Sequence, residues 1–170
     1  ELLLTQFERT FDTSQYTTAR TPVTHIIETH PHTPPVSKCY PSNPKLINEM
    51  RQIIAKLLQS GLVRPSKSPY AAAALLTKKK DQTWRLVIDY KKLNSMTIKD
   101  NYPLPSIEVT LQTLGNGYHF FSKLDLRSGF WQLPIEETDR HKTAFVTPFG
   151  LFEWNVLPQG LRNAPISFQR

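Results

Sequence analysis

Between residues 46 and 58 the apolar side chains Leu46, Ile47, Met50, Ile53, Ile54, Leu57 and Leu58 recur at helical spacing, which limits the fold more tightly than any other stretch. That stripe must face a core. Pro44 stands at a good first-turn position behind the capping candidates Ser42 and Asn43, and Gly61 ends the run. The opposite side carries Lys45, Arg51 and Lys56, which reads as a solvated face more readily than as phosphate contacts. After the breaker PSKSP, two runs predict strands, Ala71 to Thr77 and Trp84 to Tyr90, with Lys78, Lys79, Lys80, Asp81, Gln82 and Thr83 between them. This is a hairpin with a lysine-rich tip. Trp84, Leu86, Ile88 and Tyr90 share one face of its second strand and Arg85, Val87 and Asp89 the other, so Arg85 is aimed away from the aromatic side.

Downstream, 101–105 reads as an extended connector, and Ile107, Leu111 and Leu114 mark a short helix ending at Gly115 or Gly117. Strands around 119–125, 130–135 and 143–146 suggest an antiparallel sheet. Upstream, residues 1–43 are rich in Thr, Pro and His, broken by PHTPP at 31–35, and read as an extended arm or linker. His25, His30, His32 and Cys39 match no common closed zinc spacing. The single Cys39 rules out an intramolecular disulfide and fits a reducing compartment. No apolar run approaches the length of a membrane helix, and Leu2 to Leu4 is too short for a signal peptide, so nothing suggests secretion. The chain opens on Glu1 rather than Met and stops inside a helix begun near Asn163, which reads as a piece of a polyprotein.

The distribution of charge says more than the net value of +7. Residues 38–100 carry thirteen Lys/Arg against four Asp/Glu, whereas 101–170 carry six against six. The excess positive charge therefore lies around the hairpin, where a polyanion could be held. A solvated basic surface accounts for that segment equally well on its own.

The segment FSKLDLRSGFWQ, 121–132, ends an alternating run on a carboxylate and then turns into a glycine and two aromatics. An isolated Asp125 is most often a turn or capping residue. Here LDLRSGFWQ is followed by KTAFVTPFG and LPQGLRNAPISFQ, and preceded by LVRPSKSPYAAAALLTKKKDQTWRLVIDYKKLN and NYPLPSIEVTLQTLGNGYHFFSKLDL. Together, from about Pro35 to Arg170, these resemble the reverse transcriptases of gypsy-type long-terminal-repeat retrotransposons and their retroviral relatives.

The resemblance implies an α+β right-hand polymerase piece, with an arm over 1–43, fingers over 44–117 and the first part of a palm over 118–170. It implies an RNA-directed DNA polymerase acting on a primer with an RNA or DNA template and deoxynucleoside triphosphates. Two magnesium ions serve the complete enzyme, with Asp125 as catalytic carboxylate and metal ligand and the Leu126 carbonyl as a second oxygen donor. Lys79 and Arg85 would contact the triphosphate, Ser128 and Gly129 would offer it backbone amides, and Gln159 would lie near the ribose. Phe130 would stand beneath the sugar and exclude a 2′-hydroxyl, although the local pattern fits a core Phe equally well. Lys78, Lys80, Tyr90, Asn94, Gly160 and Pro165 would line the nucleic-acid side, with packing or turn roles open for Tyr90 and Asn94. Gln159 departs from many gypsy-type members toward the retroviral version. The family's other catalytic carboxylates lie in a Tyr-x-Asp-Asp hairpin, and the sequence has no adjacent Asp-Asp. The chain alone is therefore expected to be inactive, its partners being a protease upstream and the rest of the palm, thumb and RNase H downstream, within an intracellular, cytoplasmic particle of a mobile element. A noncatalytic nucleic-acid-binding module is the alternative. Glu136 and Asp139, which match no catalytic position, are expected in solvent.

Overall fold

The computed structural model describes residues 5–7, 16 and 18–170. Helix α1, Pro44–Gln59, begins where Pro44 supplies a fixed φ and the Asn43 carboxamide accepts from the Leu46 amide at 2.9 Å. It ends at Ser60 and Gly61, the latter at φ +67°. Met50, Ile54 and Leu57 are buried from its apolar face, with Ile53 and Leu58 packed at the edge. On its polar side the Arg51 guanidinium sits 4.5 Å from the centre of the Phe149 ring.

Beneath α1 lies one five-stranded sheet: β1 (Val63–Pro65), β2 (Ala72–Lys78), β3 (Trp84–Asp89), β4 (Phe145–Thr147) and β5 (Gly150–Trp154). Its order is β1-β5-β4-β2-β3. The hairpins β2–β3 and β4–β5 are antiparallel, as is β1 on β5, but β2 and β4 run parallel, Ala72 beside Phe145 and Ala73 beside Val146. The expected antiparallel sheet is therefore mixed, and it takes strands from both sides of residue 117. Phe145 and Leu157 are fully buried at its centre. Short helices α2 (Lys91–Met96), α3 (Ile107–Leu114) and α4 (Ala164–Gln169) complete the chain, with 3-10 turns at Gly129–Gln132 and Glu137–Thr143. No helix among the described residues is long and apolar enough to cross a membrane.

Three local expectations change. Residues 119–125 form no strand; Phe120 is 95% and Leu124 90% exposed, because alternation makes a strand only when another edge hydrogen-bonds to it, and among the described residues none does. Likewise 130–135 begins as a 3-10 turn, entered through Ser128 at φ 49°, ψ 45°, and only Pro134 and Ile135 form isolated bridges, to Val156 and His25. Finally, the arm is extended but is no free linker. His25 bridges Ile135, Thr29 bridges Thr97 and Val36 bridges Ala71.

The arm also explains the acids of 136–139. Asp139 is only 7% exposed, accepting the Ile27 amide at 2.8 Å and pairing with Lys142 at 2.7 Å, while Lys142 also donates to the Ile27 carbonyl. Glu136 accepts from the Thr24 hydroxyl at 2.8 Å. The expectation that both face solvent fails because the arm, distant in sequence, brings them partners.

His25 is 2% exposed, and its Nδ1 shares a 2.7 Å hydrogen bond with the Ser167 hydroxyl of α4. Burial pulls its pKa from 6.5 down to about 4, against the opposing pull of the Asp139 charge. The unfolded chain therefore binds this proton below pH 6.5, but the folded chain not until about pH 4. Stability present above 6.5 is lost as pH falls through that window, by about 3 kcal/mol in all. Denaturant titrations at pH 7, 5.5 and 4 should show this loss in the native chain and a flatter profile in His25→Gln; parallel profiles would contradict it.

Candidate functional site

The β2–β3 hairpin pairs Lys78 with Trp84 and Thr77 with Arg85, which places its basic residues at one end of the sheet. Its tip is closed by the Lys79 amide to the Thr83 carbonyl at 2.9 Å and by Gln82 at φ 65°. Asp81 accepts from both the Thr83 hydroxyl and the Thr83 amide, which lowers its pKa. The turn thus uses its own carboxylate internally. Lys78 leans back over Trp84, 5.4 Å from the ring centre. Among the described residues Lys79, Lys80 and Arg85 form no ion pair with a carboxylate.

A cavity of about 570 Å³ opens between this hairpin, α1 and the first 3-10 turn, and Lys79, Arg85, Ser128, Gln159 and Gly160 all line it. Its apolar lining includes three indoles, Trp84, Trp131 and Trp154, beside aliphatic side chains such as Ile53 and Leu86. A second depression of about 350 Å³ is lined by Asp125, Leu126, Gly129, Phe130, Gln159 and Phe168. Gln159 belongs to both. Nine of the expected site residues thus converge on two hollows that share one side chain. Lys56, which the helical pattern assigned to solvent, also lines the larger hollow. Only its place one turn before the end of α1, facing the hairpin, gives it that position.

Asp125 and Leu126 are exposed on the stretch that forms no strand. Phe130 is half-buried and meets Phe168 edge to face, ring centres 5.2 Å apart. A Cβ on Gly129 would stand 2.8 Å from the Phe168 Cζ, so glycine here gives room to that ring. The amides of Ser128 and Gly129 lie ahead of the first bond of the 3-10 turn, Trp131 N to Ser128 O at 2.8 Å.

The expected nucleic-acid face is only partly assembled. Lys78, Lys80, Gly160 and Pro165 are exposed. Tyr90 is instead buried beneath the sheet, its hydroxyl donating to the Thr143 carbonyl at 2.8 Å, and burial raises its pKa. Its alternation with Ile88 puts it on the core face, and an apolar core accepts a phenol whose hydroxyl is satisfied. Asn94 uses both ends of its carboxamide to hold the turn, donating to Gly160 O at 2.8 Å and accepting from Arg162 N at 2.9 Å. That turn needs Gly160, which sits at φ +97°. Asn163 is no side-chain cap for α4; it donates to Ile98 O and accepts from Asp100 N, tying the connector to the helix start.

The family model described as reverse transcriptase (RNA-dependent DNA polymerase) matches residues 77–170. The retrovirus-related Pol polyprotein from transposon opus of Drosophila melanogaster is 41% identical over 174 residues, 99% of this chain and 17% of the relative. The corresponding polyprotein from transposon gypsy of Drosophila melanogaster is 42% identical over 156 residues, 88% of this chain and 15% of the relative. The foamy viral protease-reverse transcriptase in complex with RNA/DNA hybrid superimposes with a TM-score of 0.80 at 26% identity, covering 98% of this chain and 22% of that one. The chain thus spans less than a fifth of the length of these curated relatives.

Burial of Tyr90 has a measurable consequence. Tyr90→Phe leaves the Thr143 carbonyl without its donor, and should cost about 1 to 3 kcal/mol in denaturant unfolding while leaving nucleic-acid affinity unchanged. A loss of affinity without loss of stability would return Tyr90 to the nucleic-acid face.

Proposed function

This chain belongs to the reverse transcriptase (RNA-dependent DNA polymerase) family, and on that premise we propose that it is the part that holds the incoming deoxynucleotide and one catalytic carboxylate against a primer and its RNA or DNA template. One observation carries the reading: Lys79, Arg85, Ser128, Gln159 and Gly160 line one hollow, Asp125, Leu126, Gly129 and Phe130 line the next, and Gln159 joins them. Arg85 offers a planar fork and Lys79 a point charge to the polyphosphate. Neither makes an ion pair with a carboxylate among the described residues. Gln159, reaching both hollows, would contact the nucleotide near its ribose. The Phe130 ring, backed by Phe168, would fill the volume that a 2′-hydroxyl needs.

The donors in the smaller hollow suit magnesium in kind, since the Asp125 carboxylate and the Leu126 carbonyl are hard oxygens. They would hold an ion there. Divalent ions, when bound, favour the ionised primer 3′-hydroxyl and offset the charge of the triphosphate. Among the described residues no group of three or more His, Cys, Asp or Glu could hold a metal, so the donor set among them is incomplete. That observation supports a second reading, in which the chain acts alone as a noncatalytic binder of nucleic acid. In the full polyprotein the same residues would work beside further palm, thumb and RNase H segments, in a cytoplasmic particle of a mobile element.

Primer extension by this chain on an RNA template, with deoxynucleotides and magnesium, should not exceed that of Asp125→Ala, because one carboxylate cannot hold the two-ion arrangement. Extension above that control would refute the incomplete-site account. Binding should survive, since the hairpin acts through phosphates. Replacing Lys78, Lys79 and Lys80 by Ala should flatten the dependence of log K on log salt by about 0.9 for each duplex phosphate that the hairpin no longer neutralises. An unchanged slope would remove the hairpin from the binding surface.

A further inference from the structure

The arm ahead of α1 contacts the two elements that carry the walls of the smaller hollow, the Gly129–Gln132 turn and α4. On one side the Ala19 amide donates to Gln132 O, the last residue of the Gly129–Gln132 turn, at 2.8 Å. On the same side Tyr16 lies between the Arg127 guanidinium, 5.1 Å from its ring centre, and Trp131, 5.0 Å away and edge to face. On the other side His25 bonds Ser167 of α4 at 2.7 Å. His25 is itself fixed from both directions, its amide donating to Pro134 O at 2.8 Å and its carbonyl accepting from Glu136 N at 2.9 Å.

Between these two grips stand the residues that shape the hollow. Phe168 follows Ser167 directly, and its ring meets Phe130 and occupies the space beside Gly129. α4 is only six residues long and buries Ala164, held at its start by Asn163 on Ile98 O and Asp100 N and at its end by the Arg170–Asp100 ion pair at 2.9 Å. To these the part-buried bond from the rigidly held imidazole adds a restraint at Ser167, next to Phe168.

We propose that His25 is a positioning residue: through Ser167 it sets the rotation of α4, and so holds the Phe168 ring against Gly129 and Phe130, fixing the wall of the hollow that carries Asp125. The arm is therefore a working part of the site. The functional meaning rests on taking the hollow as the nucleotide site, but the geometry does not.

The test follows Gly129 and Phe130 by residue-specific NMR in the full chain, with Gly61, beyond the far end of α1, as internal control. Beside an aromatic ring the Gly129 protons carry a ring-current shift. In Ser167→Ala and in His25→Phe, which keeps an aromatic ring and removes the bond, the Gly129 and Phe130 signals should move and those of Gly61 should stay. The double variant should move them no further than either single one, because both break the same link. Should His25→Phe fail to fold, Ser167→Ala, a change of one oxygen on a half-buried residue, decides alone. Lowered melting temperature with Gly129 signals at their native positions would overturn the proposal, as would additive shifts in the double variant. No nucleotide is used, so a chain that binds none would refute the nucleotide reading and leave this result standing.

Discussion

Two rungs of parallel pairing, Ala72 beside Phe145 and Ala73 beside Val146, join the β2–β3 hairpin to the β4–β5 hairpin, and the relative placement of every site residue depends on them. A parallel pair cannot be closed by a tight turn, so the chain between the two strands must leave the sheet and return. The intervening stretch includes the connector, α3, Asp125 and the Gly129–Gln132 turn. Small side chains suit the junction: Ala73 and Ala74 are buried beside fully buried Phe145. Thr143 locks it from the side, its hydroxyl accepting the Trp154 amide and donating to Arg140 O while its carbonyl accepts from Tyr90. Through this junction the lysine-rich tip and Gln159 come to face the same cavity.

What was legible in the sequence was what local forces decide. The apolar stripe and caps of α1 are set by neighbours three and four residues apart, and α1 runs where the pattern puts it. The β2–β3 hairpin and its basic tip likewise follow from alternation and an intervening turn. Nine of the fourteen candidate site residues line two adjoining hollows. What was not legible depends on partners far along the chain. Asp139 looks like a turn acid until Ile27 and Lys142 reach it. Tyr90 and Asn94 are polar residues near a proposed groove, yet one is satisfied by Thr143 and the other by the 160–162 turn. Residues 119–125 alternate as a strand would, and without a neighbouring edge they form none.

The electrostatic layout follows the same division. Carboxylates in the body of the domain are consumed: Glu153 by Arg64, Asp139 by Lys142, and Asp100 by Arg170. Among the described residues the cations of the hairpin form no ion pair, and Asp125 stands exposed in the adjoining hollow. Charges left uncompensated beside a hollow favour a ligand of opposite sign on one side and a cation on the other. A polyphosphate accompanied by divalent ions has that pattern, and the indoles of Trp84, Trp131 and Trp154 give the hollow a dry flank.

The central claim is that the two hollows form one deoxynucleotide site, and a titration of the isotopically labelled chain with deoxythymidine triphosphate and magnesium tests it most directly. The account predicts saturable shifts at the amides of Lys79, Arg85, Ser128, Gly129 and Gln159, all following one binding curve, with Lys38, Lys67 and Lys99 unaffected. Shifts spread over those distant lysines and erased by modest salt, or none at the five site residues, would contradict it.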